Sequence, residues 1–161
     1  MTVAREIERK FLVAGDGWRL GARGVSYRQG YLSAGEGASC TVRARVAGEH
    51  AWLTIKGPAA GGARDEYEYP IPVADAVEML ERLCAGGQIE KLRHRVPFAG
   101  RIWEVDEFSG ENAPLIVAEV ELESIAAEVS LPPWVGPEVT DDPRYTNAAL
   151  ARQPYSRWDR R

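Results

Sequence analysis

Little in this chain points to redox, haem or zinc chemistry. Its 161 residues include two cysteines, Cys40 and Cys84, and two histidines, His50 and His94. These are too few and too scattered to build a zinc site. Far-apart thiols, with no charged leader and apolar core at the start, lead to the expectation of a cytoplasmic protein with both thiols reduced. No apolar run approaches the ~20 residues that a membrane-spanning helix needs, so no membrane partner is expected. A positive charge balance is lacking too: 20 Lys and Arg stand against 24 Asp and Glu, a net charge of −4. No overall basic field therefore invites nucleic acid. No linker, low-complexity block or tandem repeat divides the chain. Length predicts one domain over residues 1–161, large enough for a proper core. With 45% hydrophobic and 27% charged residues, the composition is that of an ordinary globular protein.

What the chain has in quantity is short alternating segments whose polar face carries charge. The first is Glu6-Ile7-Glu8-Arg9-Lys10, running into Phe11-Leu12-Val13. As a strand it sets Glu6, Glu8 and Lys10 on one face, with Ile7, Phe11 and Val13 on the other. Carboxylates at i and i+2 on a strand stand about 6.6 Å apart and repel by roughly 2 kcal/mol at an effective dielectric near 20. Water tolerates such a pair, and so does a hard cation that wants oxygen ligands. Further strands are predicted over 26–33, 40–46, 51–56, 65–71, 89–96, 101–108 and 116–123, with 40–46 and 51–56 forming a hairpin. Residues 74–85 change to helical spacing, with Gly86-Gly87 as the stop. A short helix is expected over 145–151, and an Arg-rich tail, about 153–161, that either frays or folds over one end of the molecule.

Placed side by side, the charged registers are Glu6, Glu8 and Lys10; Arg43 and Arg45; Lys56; Glu66 and Glu68; Lys91, Arg93 and Arg95; Glu104 and Asp106; Glu119 and Glu121. A half-solvated sheet normally mixes signs along a face, since like charges opposite each other are unfavourable. Here one sign recurs strand after strand. An open sheet with its charged face in water and a closed barrel with charges inside both accommodate the pattern, and composition does not choose between them. Clustered Arg and Lys suit phosphoryl oxygens, and clustered Glu and Asp suit Mg²⁺ or Mn²⁺. One cavity holding both suits a polyphosphate with its metal.

The opening Glu-Ile-Glu-Arg-Lys resembles the ExExK signature of the CYTH superfamily, the triphosphate tunnel metalloenzymes. The likeness continues in order through Gln29-Gly30-Tyr31-Leu32, Val42-Arg43-Ala44-Arg45, Leu53-Thr54-Ile55-Lys56-Gly57 and Glu66-Tyr67-Glu68. It runs on through Glu90-Lys91-Leu92-Arg93, Trp103-Glu104-Val105-Asp106, Ala118-Glu119-Val120-Glu121 and Glu138-Val139-Thr140-Asp141, and so spans nearly the whole chain. The resemblance implies an α+β fold built on an eight-stranded antiparallel β-barrel tunnel, with a charged lumen and helices packed outside. It also implies metal-dependent cleavage of a triphosphate. Carried over by position, Glu6, Glu8, Asp106, Glu119 and Glu121 would be metal ligands for Mg²⁺ or Mn²⁺. Lys10, Arg43, Arg45, Lys56, Lys91 and Arg93 would bind substrate. Glu6, Glu8, Lys91 and Glu104 would carry catalysis, while Tyr31, Glu66, Glu68 and Arg95 extend the candidate set.

Closest in type are the small bacterial inorganic triphosphatases, which would split tripolyphosphate into pyrophosphate and phosphate. A class IV adenylyl cyclase and a thiamine triphosphatase are the enzymatic alternatives. A polyphosphate- or nucleotide-binding module is the non-enzymatic one, and the paired carboxylates argue against it, since anion binding alone needs only the bases. A homodimer is expected on base rates.

Overall fold

The computed structural model describes residues 4–21, 23–35, 37–84 and 87–159. Its frame is one antiparallel sheet of ten strands: β1 (Ala4–Glu6), β2 (Glu8–Val13), β3 (Gly24–Ser33), β4 (Thr41–Ala47), β5 (His50–Lys56), β6 (Arg64–Pro70), β7 (Gln88–Phe98), β8 (Arg101–Phe108), β9 (Ile116–Glu121) and β10 (Val135–Glu138). The spatial order is β1-β6-β5-β4-β3-β7-β8-β9-β2-β10. Seven of the expected strands recur with ends moved by a few residues.

The eight-stranded closed barrel is corrected. The hydrogen-bonded ladder has ten strands and two ends, and it does not close. The physical reason lies in the opening segment, which pairs on two sides. Ala4–Glu6 adds to β6, the chain breaks pairing at Ile7, and Glu8–Val13 adds to β9. The Ile7 carbonyl accepts from Leu122 N at the break, 2.8 Å. One continuous stretch thus borders both sides of a strongly curled sheet. A tenth, short strand then adds to the outer edge of β2.

Two helices accompany the sheet, α1 (Val73–Arg82) and α2 (Asn147–Arg152). Helix α1 follows Pro72 and buries Ala76 and Leu80, one turn apart, with Leu80 clustered with Ala44 of β4 and Cys84. Close approach here depends on Gly30 of β3: a Cβ there would stand 2.9 Å from both Cβ and Sγ of Cys84. The expected stop at Gly86, and Ala85 before it, lie outside the described residues.

Helix α2 corrects the expectation that helices pack only outside. Its Leu150 and Ala151 are buried with Tyr31, Ile89, Phe108 and Val117. Those four share a face with Arg43, Lys91 and Asp106 by strand alternation and register. The helix therefore fills one end of the curled sheet's concave side. The segment after it is held by contacts: Tyr155 N donates to Asn112 Oδ1 at 2.9 Å, and Trp158 stacks edge-on to Tyr145 and Tyr155. Arg160 and Arg161 lie outside the described residues. The second large apolar cluster, on the convex side, joins Phe11, Trp18, Trp103, Val105, Val120 and Trp134. Among the described residues no helix is long and apolar enough to cross a membrane. Cys40 and Cys84 are both free.

Candidate active site

Strand alternation delivers the charged registers to the concave face, where they line two adjoining cavities. The first, of ≈ 160 Å³, is walled by Glu6, Glu8, Arg43, Arg45, Lys56, Glu66, Glu68, Arg93, Glu104, Glu119, Glu121 and Asn147. The second, of ≈ 190 Å³, shares Glu8, Arg43, Lys56 and Asn147 and adds Lys10, Tyr31, Thr41, Thr54, Arg64, Thr146 and Ala148. Eight strands contribute to the first cavity, so the curl brings together side chains that are far apart in the ladder.

Register makes the site electrostatically uneven. Lys10 lies opposite Glu119 and Arg93 opposite Asp106, both favourable pairings. Glu8, however, lies directly opposite Glu121, and Glu104 directly opposite Glu119. Like charges facing each other across a ladder are destabilising, so these pairs are held in place by the fold around them.

The acidic side shows the result. Burial, with Glu119 and Glu6 close by, pushes the Glu8 carboxyl up to about 8, against the opposing pull of Lys10 and Lys56. Glu121 is raised by burial and by Glu6 and Glu104, and Glu66 by burial and Glu6. Burial would raise Glu6 as well, but Lys56 Nζ at 2.6 Å from its Oε2 holds it below the ordinary range. Glu119, likewise buried, is drawn down to about 2 by Lys10 and Arg93. The carboxyls on this side therefore outnumber the lysines beside them, and the crowding centres on Glu8, which keeps its proton.

On the basic side the imbalance is reversed. Arg45 is pulled down to about 10 by burial and by the adjacent Arg43 and Arg93. The hydrogen bond recorded for its side chain goes to a neutral acceptor, Gln29 Oε1 at 2.9 Å. Arg43 is buried, reaches Thr54 Oγ1 at 3.2 Å with the Glu68 carboxylate more distant at 3.6 Å, and leaves Nε with no partner among the described residues. Crowded, under-neutralised guanidiniums are what an anion with several oxygens satisfies.

Asp106 sits elsewhere than an open ligand position. It is 1% exposed, and its oxygens accept from Lys91 Nζ at 2.6 Å and from Arg93 Nε and Nη2 at 2.7 and 2.8 Å. Despite burial, those two cations hold its carboxyl far below the ordinary range. Lys91 is drawn down to about 7 by burial, with Arg93 and Arg45 opposing the pull of Asp106. Arg93 also reaches Glu104 Oε2 at 3.1 Å. Lys10 Nζ lies 3.4 Å from Glu119 and donates to the Tyr145 carbonyl at 3.1 Å. Tyr31 reaches the second cavity and accepts from Gln29 Nε2 at 3.3 Å. Arg95, in register with Lys91 and Arg93, is exposed and lines neither cavity.

Six lining residues were not singled out from sequence: Thr41, Thr54, Arg64, Thr146, Asn147 and Ala148. Thr54 and Arg64 stand two residues before Lys56 and Glu66, so alternation alone places them on the charged face. Thr54 is buried and its hydroxyl donates to Glu68 Oε2 at 2.8 Å. Asn147 carries no signal in the sequence, because its place depends on how α2 enters the sheet.

Among the described residues no three acidic, histidine or cysteine side chains are grouped so as to hold a metal ion by themselves. The donor chemistry nonetheless fits a hard divalent cation. Mg²⁺ usually keeps several waters and binds through one or two carboxylates plus substrate phosphates, and such an ion would relieve the carboxyl crowding at Glu8 by taking the place of its proton.

Comparison with known proteins agrees with this chemistry. The CYTH domain family model matches residues 4–149. An inorganic triphosphatase of Acetivibrio thermocellus is 50% identical over 153 residues, covering 95% of this chain and 97% of that protein. One from Nitrosomonas europaea is 44% identical over 152 residues, with 91% and 96% covered. A crystal structure of an inorganic triphosphatase superposes with a TM-score of 0.65 at 40% identity, covering 91% of this chain and 97% of that one. A Pyrococcus horikoshii protein at 20% identity and TM-score 0.56 shares the fold.

Proposed function

The chain belongs to the CYTH domain family, and from that premise we propose that it is an inorganic triphosphatase, hydrolysing tripolyphosphate to pyrophosphate and phosphate. The observation that carries this reading is a single cavity in which like groups crowd each other on both walls, Arg43 beside Arg45 on one side and Glu8 facing Glu121 on the other. A linear polyphosphate with a divalent ion neutralises both at once.

Arg43, Arg45, Lys56 and Arg93 bind phosphoryl oxygens and fix the anion along the cavity, with Lys10 on the wall of the adjoining one; Lys91, expected as a ligand, is fully buried behind the wall and acts through Asp106 and Asn147. Arginine does this bidentately, which orients as well as binds. Of the carboxyls on this face, Glu6, Glu8, Glu119 and Glu121 would supply the one or two direct ligands that Mg²⁺ or Mn²⁺ takes, the rest acting through its waters. Such an ion supplies neutralisation of charge on the transferring phosphoryl group and activation of water. Glu104, tethered to Arg93, positions water beside the phosphoryl group. Asp106 acts through Arg93, which it holds on the cavity wall, and anchors Lys91 behind it. Tyr31, Glu66 and Glu68 complete the wall; Glu68 keeps Thr54, and through it Arg43, in place. Arg95 stands outside this set.

Initial rates of phosphate release from tripolyphosphate, ATP and thiamine triphosphate, each with Mg²⁺ and with Mn²⁺, test the reading. Tripolyphosphate is expected to give the highest kcat/KM. A preference for ATP with cyclic AMP as product would replace it with a cyclase. Binding of all three with turnover of none would leave a binding module.

A further inference from the structure

One wall of the cavity owes nothing to the sheet. Asn147, the first residue of α2, is half-buried and lines both chambers. Its Oδ1 accepts from Lys91 Nζ at 3.2 Å. An ammonium group only donates, so Lys91 fixes which way the amide points: oxygen toward Lys91, NH₂ turned away. No acceptor among the described residues takes a side-chain hydrogen bond from that NH₂ group. The backbone beneath is held firmly, since Thr146 Oγ1 accepts from Ala149 N at 3.2 Å and Leu150 is fully buried. A neutral donor is thus presented, already oriented, at the junction of the two cavities, beside Glu8, Arg43 and Lys56.

We propose that Asn147 is a substrate-binding residue whose Nδ2 donates to a phosphoryl oxygen of the polyphosphate. The inference rests on the functional reading above for its ligand class. Its physical content is a division of labour: Lys91 orders the amide from behind, and the amide meets the anion in front. A neutral group at this position adds a hydrogen bond without adding to the crowding of Arg43, Arg45 and Arg93.

Asn147→Ala and Asn147→Asp test it, each read by calorimetric binding of tripolyphosphate to metal-free protein and by steady-state kinetics with Mg²⁺. A hydrogen bond to a charged group makes loss of the donor cost roughly ten- to a hundredfold in affinity. N147A is therefore expected to raise Kd and KM together by at least about tenfold, with kcat within about twofold of wild type. N147D still accepts from Lys91 but turns a carboxylate toward the anion, so its affinity is expected to fall further, with the unfolding temperature kept. N147D also decides the matter if N147A fails to fold. Wild-type affinity in N147A, or a loss of affinity in both variants matched by loss of thermal stability, would overturn the proposal. Wild-type protein that binds tripolyphosphate without cleaving it would overturn the hydrolase reading instead, and the binding comparison would still decide the role of Asn147.

Discussion

Asp106 carries more of the site's integrity than its single charge suggests. It is a buried carboxylate that supports two buried cations at once, Lys91 and Arg93. Removing one member of a buried ion pair costs about 3–5 kcal/mol, because the partner is left charged and desolvated. Arg93 retains Glu104 at 3.1 Å, so Asp106→Asn is expected to destabilise the protein by about 3 kcal/mol, the lower end of that range. Adding Lys91→Met to it should recover part of the loss, since the orphaned ammonium goes too. Urea unfolding of the two variants at neutral pH checks this; an Asp106→Asn protein within about 1 kcal/mol of wild type would remove Asp106 from its supporting role. Its sign was legible in the sequence, and so was its place beside Glu104. That it faces lysine and arginine rather than an open coordination place depends on which strand lies next to β8, which alternation within β8 does not contain.

At the scale of elements, the pairing of β2 with β9 is the informative one. It sets Glu8 opposite Glu121 and Lys10 opposite Glu119. The folded protein holds a proton on Glu8 up to about pH 8, whereas an unfolded glutamate releases it near 4.3. A carboxyl raised in this way contributes stability that is fully present below the unfolded value and is lost as pH rises through the folded one. Metal-free protein should therefore lose stability between about pH 5 and pH 8, and Glu8→Gln should flatten that decline. Denaturation midpoints in EDTA at the two ends of the window report it, and parallel profiles for the two proteins would contradict it.

The strands themselves were readable because a period of two is written directly into Cys40–Val46 or Arg101–Phe108. Two features were not. The split at Ile7 is set by partners on either side, β6 and β9, and nothing inside Glu6–Val13 marks it. Strand β10 is Val-Gly-Pro-Glu, whose glycine and proline argue against a strand by composition; it pairs only as an edge, with a register shift between Val135 and Glu138. Helix α2 was visible as a helix, but its insertion on the concave side, and with it the role of Asn147, is a property of packing.

Across the whole molecule, curvature turns a list of charged strands into one site. The ladder stays open, yet its first and last principal strands are halves of one segment, so acidic and basic faces look at each other across a narrow space. The interior would be poorly stable on its own terms, with carboxylates facing carboxylates and guanidiniums crowding guanidiniums. It makes physical sense as a receptacle whose contents complete the charge balance. The metal-stripped protein given tripolyphosphate, followed by ³¹P NMR before and after Mg²⁺ is restored, tests this most directly. The expected result is an intact substrate without metal and, once metal is present, pyrophosphate and phosphate appearing in equal amounts. Equal rates with and without divalent metal, or no cleavage in either case, would contradict it.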